Sequence, residues 1–360
     1  MKKILVLFTV LFAVTTAYSA INLTVKFNDP TLDSMAGDLK TNIESSVLGE
    51  IGQYENMPKL TRGFANANTY ASGAGNMRGY QGYDLFAVSV GTMFSVQAPS
   101  SDPTFYEDLQ DDLDAGDVYA GMGANPLVGQ VGLNLSFLVD DLYMAFRFGK
   151  FDTTLGGEND DYKVNYDTNI FGILLNYQFI GQKSILARSM LWRGVSIESG
   201  FIFTKNKTAF YKELNAVTGS GTADALTIDY EVDPSIDFII DNKSYIIPVE
   251  VYTSLRLLYI VNLGVGAGFD YVAGGSSKLT LGSAGGVTIT NDGVAAGTSG
   301  LVGEKGTITI DTSSKDDADK FRGKLMANIG LSLGPVFIDM PATIYLDNGY
   351  AVGLSAGIVW

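Results

Sequence analysis

The segment from Gly349 to Trp360 alternates without a break between two kinds of side chain. Apolar or aromatic residues occupy its even positions, and mostly small residues occupy its odd positions. Because successive side chains of a β-strand point to opposite faces, one face of this segment suits lipid and the other suits a confined interior. We therefore expect a membrane-spanning strand whose lipid face carries Tyr350, Leu354, Ile358 and Trp360.

The same alternation returns in several other segments, each close to the roughly 9 to 11 residues that a tilted membrane strand needs. A sheet edge in lipid would leave backbone N–H and C=O groups unpaired, so such strands must close into a ring. The sequence predicts an all-β chain, a transmembrane antiparallel β-barrel of about twelve to fourteen strands with fourteen favoured, over residues 83–360. The predicted strands are 83–97, 128–139, 142–151, 163–180, 192–204, 208–217, 222–232, 245–260, 262–273, 277–290, 301–311, 321–333, 336–346 and 349–360.

Charged residues fall on the face opposite the apolar one. In a dry sandwich core each would cost several kcal/mol unless it were paired, so their number favours a wet or network-filled lumen. We expect these residues to line the lumen and to set its selectivity: Arg147, Glu198, Glu250, Arg256, Arg322, Lys324 and Asp339.

The start of the chain has the pattern of an export signal. Two lysines precede the apolar run Ile4 to Val14, and Ala17 and Ser19 provide a small-x-small cleavage site. We expect residues 1–19 to be a cleaved signal peptide and the remaining chain to reach the outer membrane of a Gram-negative-type envelope.

Residues 20–82 have a different period and are expected to form an N-terminal plug or periplasmic segment. Asp29 is a candidate N-cap and Pro30 a candidate first helical residue, so an amphipathic helix is predicted over 30–54. The helix would plug the lumen or cap the periplasmic mouth, and residues 55–82 would form an irregular tether. Its apolar face carries Leu32, Met35, Leu39, Ile43, Val47 and Ile51.

The composition removes several classes of chemistry. The chain of 360 residues has no histidine and no cysteine, which excludes Ser-His-Asp hydrolysis, thiol catalysis and the usual zinc sites. We expect no enzyme activity, no cofactor and no metal site. The formal net charge of −15, without a basic stripe, also makes nucleic acid an improbable partner.

A dense acidic stretch lies between two predicted strands, within residues 102–117. A calcium loop of the EF-hand type would have glycine at the sixth place and glutamate at the twelfth, whereas here Gly116 is fifth and Gly123 twelfth. A solvated outer loop is favoured, and weak divalent-ion binding is the alternative. The centre of this loop carries Asp108, Asp111, Asp112 and Asp114.

The signal peptide, the alternating strands and the closing Tyr-x-Val-x-Leu-x-Ala-x-Ile-x-Trp of residues 350–360 resemble bacterial outer-membrane β-barrel proteins. That resemblance implies two partners, outer-membrane lipid and the barrel-assembly machinery, which reads a terminal aromatic strand. The usual terminal residue is Phe, and here it is Trp360. The segments 80–87, 248–254 and 334–339 also resemble spirochaetal surface proteins described as adhesins, and the predicted architecture is similar to that of long-chain fatty-acid transporters.

Two functions remain open at this point. The favoured one is a pore or passive transporter for small solutes with an N-terminal plug. The alternative is a surface adhesin whose acidic outer loops bind a host or matrix ligand, with the barrel as its support. The solute, the ligand and the oligomeric state are not determined by the sequence.

Overall fold

The computed structural model describes residues 22–51, 57–80, 82–99, 119–156, 162–185, 189–213, 216–223, 226–233, 235–292 and 301–360. The predicted signal peptide and the acidic residues 108–114 lie outside these residues. Three α-helices are described, α1 (Pro30–Met35), α2 (Gly37–Ile51) and α3 (Met57–Tyr70), and a short 3-10 helix, Ala71–Gly73, follows α3. The strands are β1 (Asn22–Phe27), β2 (Phe86–Gln97), β3 (Gly121–Asn134), β4 (Leu142–Leu155), β5 (Tyr162–Ile180), β6 (Lys183–Ile185), β7 (Met190–Glu213), β8 (Val217–Ala223), β9 (Leu226–Asp233), β10 (Ser235–Leu257), β11 (Val261–Asn291), β12 (Lys305–Asp317), β13 (Phe321–Leu333), β14 (Val336–Tyr345) and β15 (Gly349–Val359).

Antiparallel strands close into a ring. Its order is β2–β3–β4–β5–β7–β10–β11–β13–β14–β15, and β15 pairs with β2 to complete the circuit. Closure gives the strands backbone partners on both sides, as a hydrocarbon environment requires. The prediction of an all-β transmembrane barrel is confirmed.

The predicted number of barrel strands was wrong, because the closed circuit among the described residues has ten strands. The predicted pairs 192–204 with 208–217 and 262–273 with 277–290 are single long strands, β7 and β11. Two further predicted strands became β9 and β12, which lie outside the ring. Alternation identifies strands. It does not distinguish a strand segment that crosses the membrane from a strand segment that continues to pair outside the membrane.

An apolar belt surrounds the ring. On β5 the exposed side chains from Phe171 to Phe179 span eight residue steps, about 27 Å along the strand and about 21 Å across a membrane at a tilt near 40°. That height is close to the apolar band of about 25 Å typical of outer-membrane barrels. Each ring strand exposes large apolar side chains to this belt, among them Val90, Leu133, Phe148, Leu175, Ile197, Val251, Val265, Ile329, Ile338 and Leu354.

The connections distinguish the two ends of the ring. Short turns such as 258–260 and 334–335 join strands at one end, and longer connections such as 98–120 and 292–304 join them at the other. Outer-membrane barrels place short turns on the periplasmic side and long loops outside, so the second end is the outer one. Trp360 lies at the short-turn end, where its backbone bonds to Phe86. The expected lipid-facing residues of the last strand, Tyr350, Leu354, Ile358 and Trp360, are all exposed.

Several strands continue beyond the ring at its outer end and form a cap. The first part of β11 pairs with β13, but its second part, from Ser276 onward, pairs with β12. The strand β1 adds to the free edge of β12, and the hairpin β8–β9 adds to the end of β11. The apolar core of the cap includes Val25, Phe27, Leu32, Leu39, Ile43, Ile228, Val232, Ile240, Leu281, Val287 and Ile308.

The amphipathic helix predicted over 30–54 is interrupted at Ala36 and belongs to the cap. Its start is confirmed: the Asp29 carboxylate accepts a hydrogen bond from the Leu32 amide at 2.8 Å. Helix α2 packs on β8 and β1, with Leu39 and Ile43 fully buried. The side chains of Met35, Val47 and Ile51 lie outside the described set.

The prediction that this helix plugs the lumen or caps the periplasmic mouth was wrong. Its apolar face needs apolar partners, and the cap core supplies them, whereas the lumen wall is polar. No helix among the described residues is long and apolar enough to cross a membrane.

Candidate functional site: the occupied lumen

Residues 57–80, which we call the lumen segment, enter the ring and fill its interior; the first turns of the segment, with Leu60 and Phe64, still pack in the cap core. Helix α3 enters at the outer end, where the Tyr70 hydroxyl donates to Gln97 Oε1 at 2.5 Å. The chain then descends, and Tyr80 stacks on Phe337 near the short-turn end, with ring centroids 4.0 Å apart. The plug is therefore formed within residues 55–82, which were predicted to be an irregular tether.

The composition of the lumen segment explains why it fits. Small residues dominate from Gly63 to Gly75, and a ring of ten strands leaves little space for larger ones. At Gly75 and Gly79 the backbone has φ values of 68° and 80°, which residues with a Cβ rarely adopt. A Cβ on Gly79 would also lie 2.9 Å from the Cβ of Ser254.

The barrel wall supplies hydrogen bonds to the backbone of the lumen segment. Below Tyr70 this segment has little helical structure, so its carbonyl groups need other partners in a buried position. Side chains from three ring strands, β2, β3 and β10, donate to carbonyl groups of the segment, including that of Ala67 in the last turn of α3. The contacts are Ser95 to Ala67 at 2.6 Å, Asn125 to Ala71 at 2.8 Å, Ser89 to Gly75 at 2.6 Å and Ser254 to Gly79 at 2.9 Å.

An ion-pair network fixes the segment near its C-terminal end, at Arg78. The Arg78 guanidinium binds both carboxylate oxygens of Glu250, at 2.5 and 2.6 Å. Lys324 donates to Glu250 and to Asp270, each at 2.5 Å. All four side chains are buried, and Tyr345 donates to the second oxygen of Asp270 at 3.1 Å. Three strands, β10, β11 and β13, and the lumen segment thus share one charged cluster.

Two more buried charges lie beside this cluster. Glu198 is directly opposite Glu250 in the strand register, and Arg147 donates to Gln130 and to the carbonyl of Ser72. Together with the cluster they give three cationic and three anionic side chains, so the charges balance. A cavity of about 20 Å³ adjoins Glu198, which is room for about one water molecule.

The other predicted lumen residues also lie on the inner face. Arg322 sits 4.8 Å from the centre of the Tyr70 ring and donates to the Asn66 carbonyl at 3.1 Å. Asp339 accepts hydrogen bonds from Asn328 at 2.8 Å and Tyr80 at 3.2 Å. Arg256 is half-buried near the short-turn end. Five of the seven predicted residues make contacts that fasten the lumen segment or its partners: Glu250, Arg147, Arg322, Lys324 and Asp339.

Sequence reasoning missed the groups that the lumen segment itself contributes. Arg78 and Tyr80 were not identified, although Arg78 is an isolated charge in a stretch of Gly, Ala and Asn. Such an isolated charge is the signal that could have revealed it, because a buried arginine needs a carboxylate partner. Asp270 was also not identified, although alternation along β11 puts it on the inner face, next to the exposed Phe269.

A second cluster closes the outer rim above the ring. Asp319, between β12 and β13, accepts hydrogen bonds from Arg62, from Asn66 at 2.8 Å and from Tyr119 at 2.8 Å. Partial burial tends to raise the pKa of Asp319, but the hydrogen bonds from Arg62, Asn66 and Tyr119 outweigh it and hold this pKa below its usual range. The cluster therefore anchors α3 most firmly while the carboxylate is ionised.

A closed antiparallel ring, an outward apolar belt and a polar, charged interior define the class of protein. The chain is an outer-membrane β-barrel, and its interior holds a segment of its own N-terminal region.

Within that class, the chain belongs to the Lsa36-like family, whose model matches residues 19–360. No curated protein matches the sequence.

Solved structures with similar folds are distant. The translocator domain of the autotransporter NalP from Neisseria meningitidis is 9% identical over 77% of this chain and 89% of that chain, with a TM-score of 0.31. The transport unit of the autotransporter AIDA-I from Escherichia coli is 8% identical over 84% and 98%, with a TM-score of 0.32. A FadL homologue from Pseudomonas aeruginosa is 8% identical over 83% and 98%, with a TM-score of 0.25.

Proposed function

We propose that this protein is a surface-binding protein, in which a closed barrel supports a ligand-binding outer face. The observation that carries the proposal is the occupied lumen: residues 57–80 fill the interior and are fastened to the wall by hydrogen bonds and ion pairs. A passive pore needs a continuous water path through the barrel, and the lumen segment occupies the position of that path.

The cap supports the same proposal. Long strands, the β8–β9 hairpin and the N-terminal helices build a folded unit with its own apolar core at the outer end. Passive permeation does not require such a unit, whereas a binding protein needs a rigid base for its recognition loops. The activity proposed is binding, without catalysis.

The acidic loop is the proposed contact with the ligand. It joins Gln97 of β2 to Gly121 of β3, and both residues lie at the outer end of the ring. Its many aspartates would attract a basic protein surface by charge complementarity. The resemblance to spirochaetal surface proteins described as adhesins supports a host or matrix protein as the ligand.

Conductance separates this proposal from the pore. The full protein, reconstituted in planar bilayers, is expected to show no steady conductance. The variant Glu250→Gln, which weakens the hold on Arg78, is the comparison, and it should show brief openings if the segment becomes mobile. A stable open channel in the unmodified protein would contradict the closed-barrel proposal and restore the passive transporter.

Binding is tested with charge-matched variants. The probe is an immobilised lysine-rich peptide, with a glutamate-rich peptide as the reference surface. Asp111→Asn with Asp112→Asn should weaken binding to the lysine-rich peptide by several-fold, because two attractive charges are removed. The control is Asp140→Asn with Asp141→Asn, at the opposite end of the barrel; Asn tolerates the positive φ of 58° at position 141. Equal binding by both variants would exclude the acidic loop as the contact.

A further inference from the structure

Three exposed lysines lie in one row around the outside of the ring. Lys150 of β4 faces Asn169 of β5, Asn169 faces Lys205 of β7, and Lys205 faces Lys243 of β10. All four side chains point outward and are exposed. Four adjacent strands therefore carry a basic row with no acidic member, on a chain whose overall charge is −15.

A row of aromatic rings lies directly beneath the lysines. Phe148 faces Phe171, Phe171 faces Phe203, and Phe203 faces Tyr245. Each ring is two residues nearer to the apolar belt than its lysine or asparagine, about 7 Å along the strand. The Lys243 ammonium group lies 5.2 Å from the centre of the Tyr245 ring, so the two rows are in contact.

The aromatic row defines the depth of the lysines in the membrane. Aromatic side chains of membrane barrels concentrate at the level of the lipid headgroups, where their rings meet both hydrocarbon and water. From the aromatic row toward the periplasm, the outward side chains of β5 are apolar as far as Phe179. The lysine row is therefore at the level of the headgroup phosphates of the outer leaflet.

The ammonium groups remain available at this level. Within the described residues, Lys150, Lys205 and Lys243 form no ion pair with a carboxylate. The next row outward holds Asp152, Asp167 and Asp241 together with Lys207, about 7 Å further from the hydrocarbon. The positive charge thus faces the membrane, and the negative charge faces the exterior.

We propose that Lys150, Lys205 and Lys243 form a binding row for phosphorylated lipids of the outer leaflet. Phosphate groups would bridge neighbouring lysines, while the acyl chains would pack on the aromatic row. Lipid binding would hold the side of the barrel that carries the cap at a fixed depth in the membrane.

Native mass spectrometry of the full protein in a non-ionic detergent tests the proposal, with phosphatidylglycerol added as the probe. The variant Lys150→Gln, Lys205→Gln, Lys243→Gln should bind the lipid at least about tenfold more weakly, because three charges near the headgroups are lost. The control Lys26→Gln, Lys212→Gln, Lys305→Gln removes equal charge from exposed positions of the cap and outer strand ends and should bind as the unmodified protein does.

Each outcome either supports or overturns the proposed lipid-binding row. Unchanged lipid binding in the first variant, or an equal loss in both, would overturn the proposal. Retention of inorganic phosphate in place of the lipid would assign the row to free anions and would also overturn it. Because all six positions are exposed, both variants should fold, and the heat-dependent shift of the barrel on a gel verifies this.

Discussion

The cap helices and residues 66–80 of the lumen segment lie close together in the chain, but opposite kinds of contact hold them; the first turns of α3, with Leu60 and Phe64, still belong to the cap core. In the cap, Leu39 and Ile43 lie in an apolar core like that of a soluble domain. In the lumen, Arg78 and the carbonyl groups of 67–79 bind polar and charged side chains of the wall. The difference arises from the barrel, whose outward face takes the apolar residues and leaves the polar ones inside.

This contrast shows how one N-terminal region can close a barrel and build a surface. Apolar packing is insensitive to charge but depends on volume, whereas the ion pairs of the lumen depend on each partner being present. The two parts should therefore respond to different substitutions. The following predictions test that separation.

The largest effect is expected for Glu250→Gln. The substitution leaves Arg78 without its ion-pair partner and leaves Lys324 paired with Asp270 alone, and breaking a buried ion pair in this way costs about 3 to 5 kcal/mol. Amide hydrogen exchange should show lost protection in residues 71–80, while α2 keeps its protection. Equal loss in α2 would mean that the lumen and the cap unfold together and would remove the contrast.

Leu39→Ala should produce the opposite pattern. Removing a fully buried leucine from the cap core costs about 2 to 5 kcal/mol, depending on how far the cavity collapses. Limited proteolysis should cut the cap faster, whereas residues 66–80 should stay protected and the barrel should keep its gel shift. The matched control is Val302→Ala at an exposed position, which should change nothing measurable.

Tyr80→Phe sharpens the comparison within the lumen. It keeps the ring stacked on Phe337 but removes the hydrogen bond to Asp339, for a loss of about 1 kcal/mol. Exchange protection should fall near residue 80 and not at Tyr70. The variant Tyr80→Leu removes the stack as well, so a larger loss there separates the ring from the hydroxyl.

The smallest effect is a pH dependence at the outer rim. Because the folded pKa of Asp319 is lowered, its stabilisation is complete above the ordinary range for aspartate and is lost as the pH falls through the folded value. Arg62 is 47% exposed, which limits the effect to about 0 to 1 kcal/mol. Protection of α3 should therefore decrease slightly between pH 6 and pH 2.5, and Asp319→Asn should remove that decrease.

Much of the barrel could be predicted from local pattern. The strand faces follow from alternation, so the inward position of Glu250 and Lys324 and the outward position of Leu354 were accessible from the sequence. The strand number was not, because β7 and β11 keep alternating beyond the membrane: β7 stays paired with β5 and β10, and β11 pairs with β9 and β12 outside the ring. Helix 30–51 was recognisable by its period, but its location depends on which apolar surface is available to it.

The sequence by itself determined the membrane class of this protein, since lipid and backbone hydrogen bonding together allow few solutions for alternating strands. Only the tertiary structure decided what fills the lumen. A stretch of glycine, alanine and asparagine has no period that predicts burial, and its role depends on groups more than a hundred residues away, such as Glu250 for Arg78. Polar partners that are distant in the sequence produce no local pattern, so the role of the segment that closes the barrel was the hardest feature to predict from the sequence.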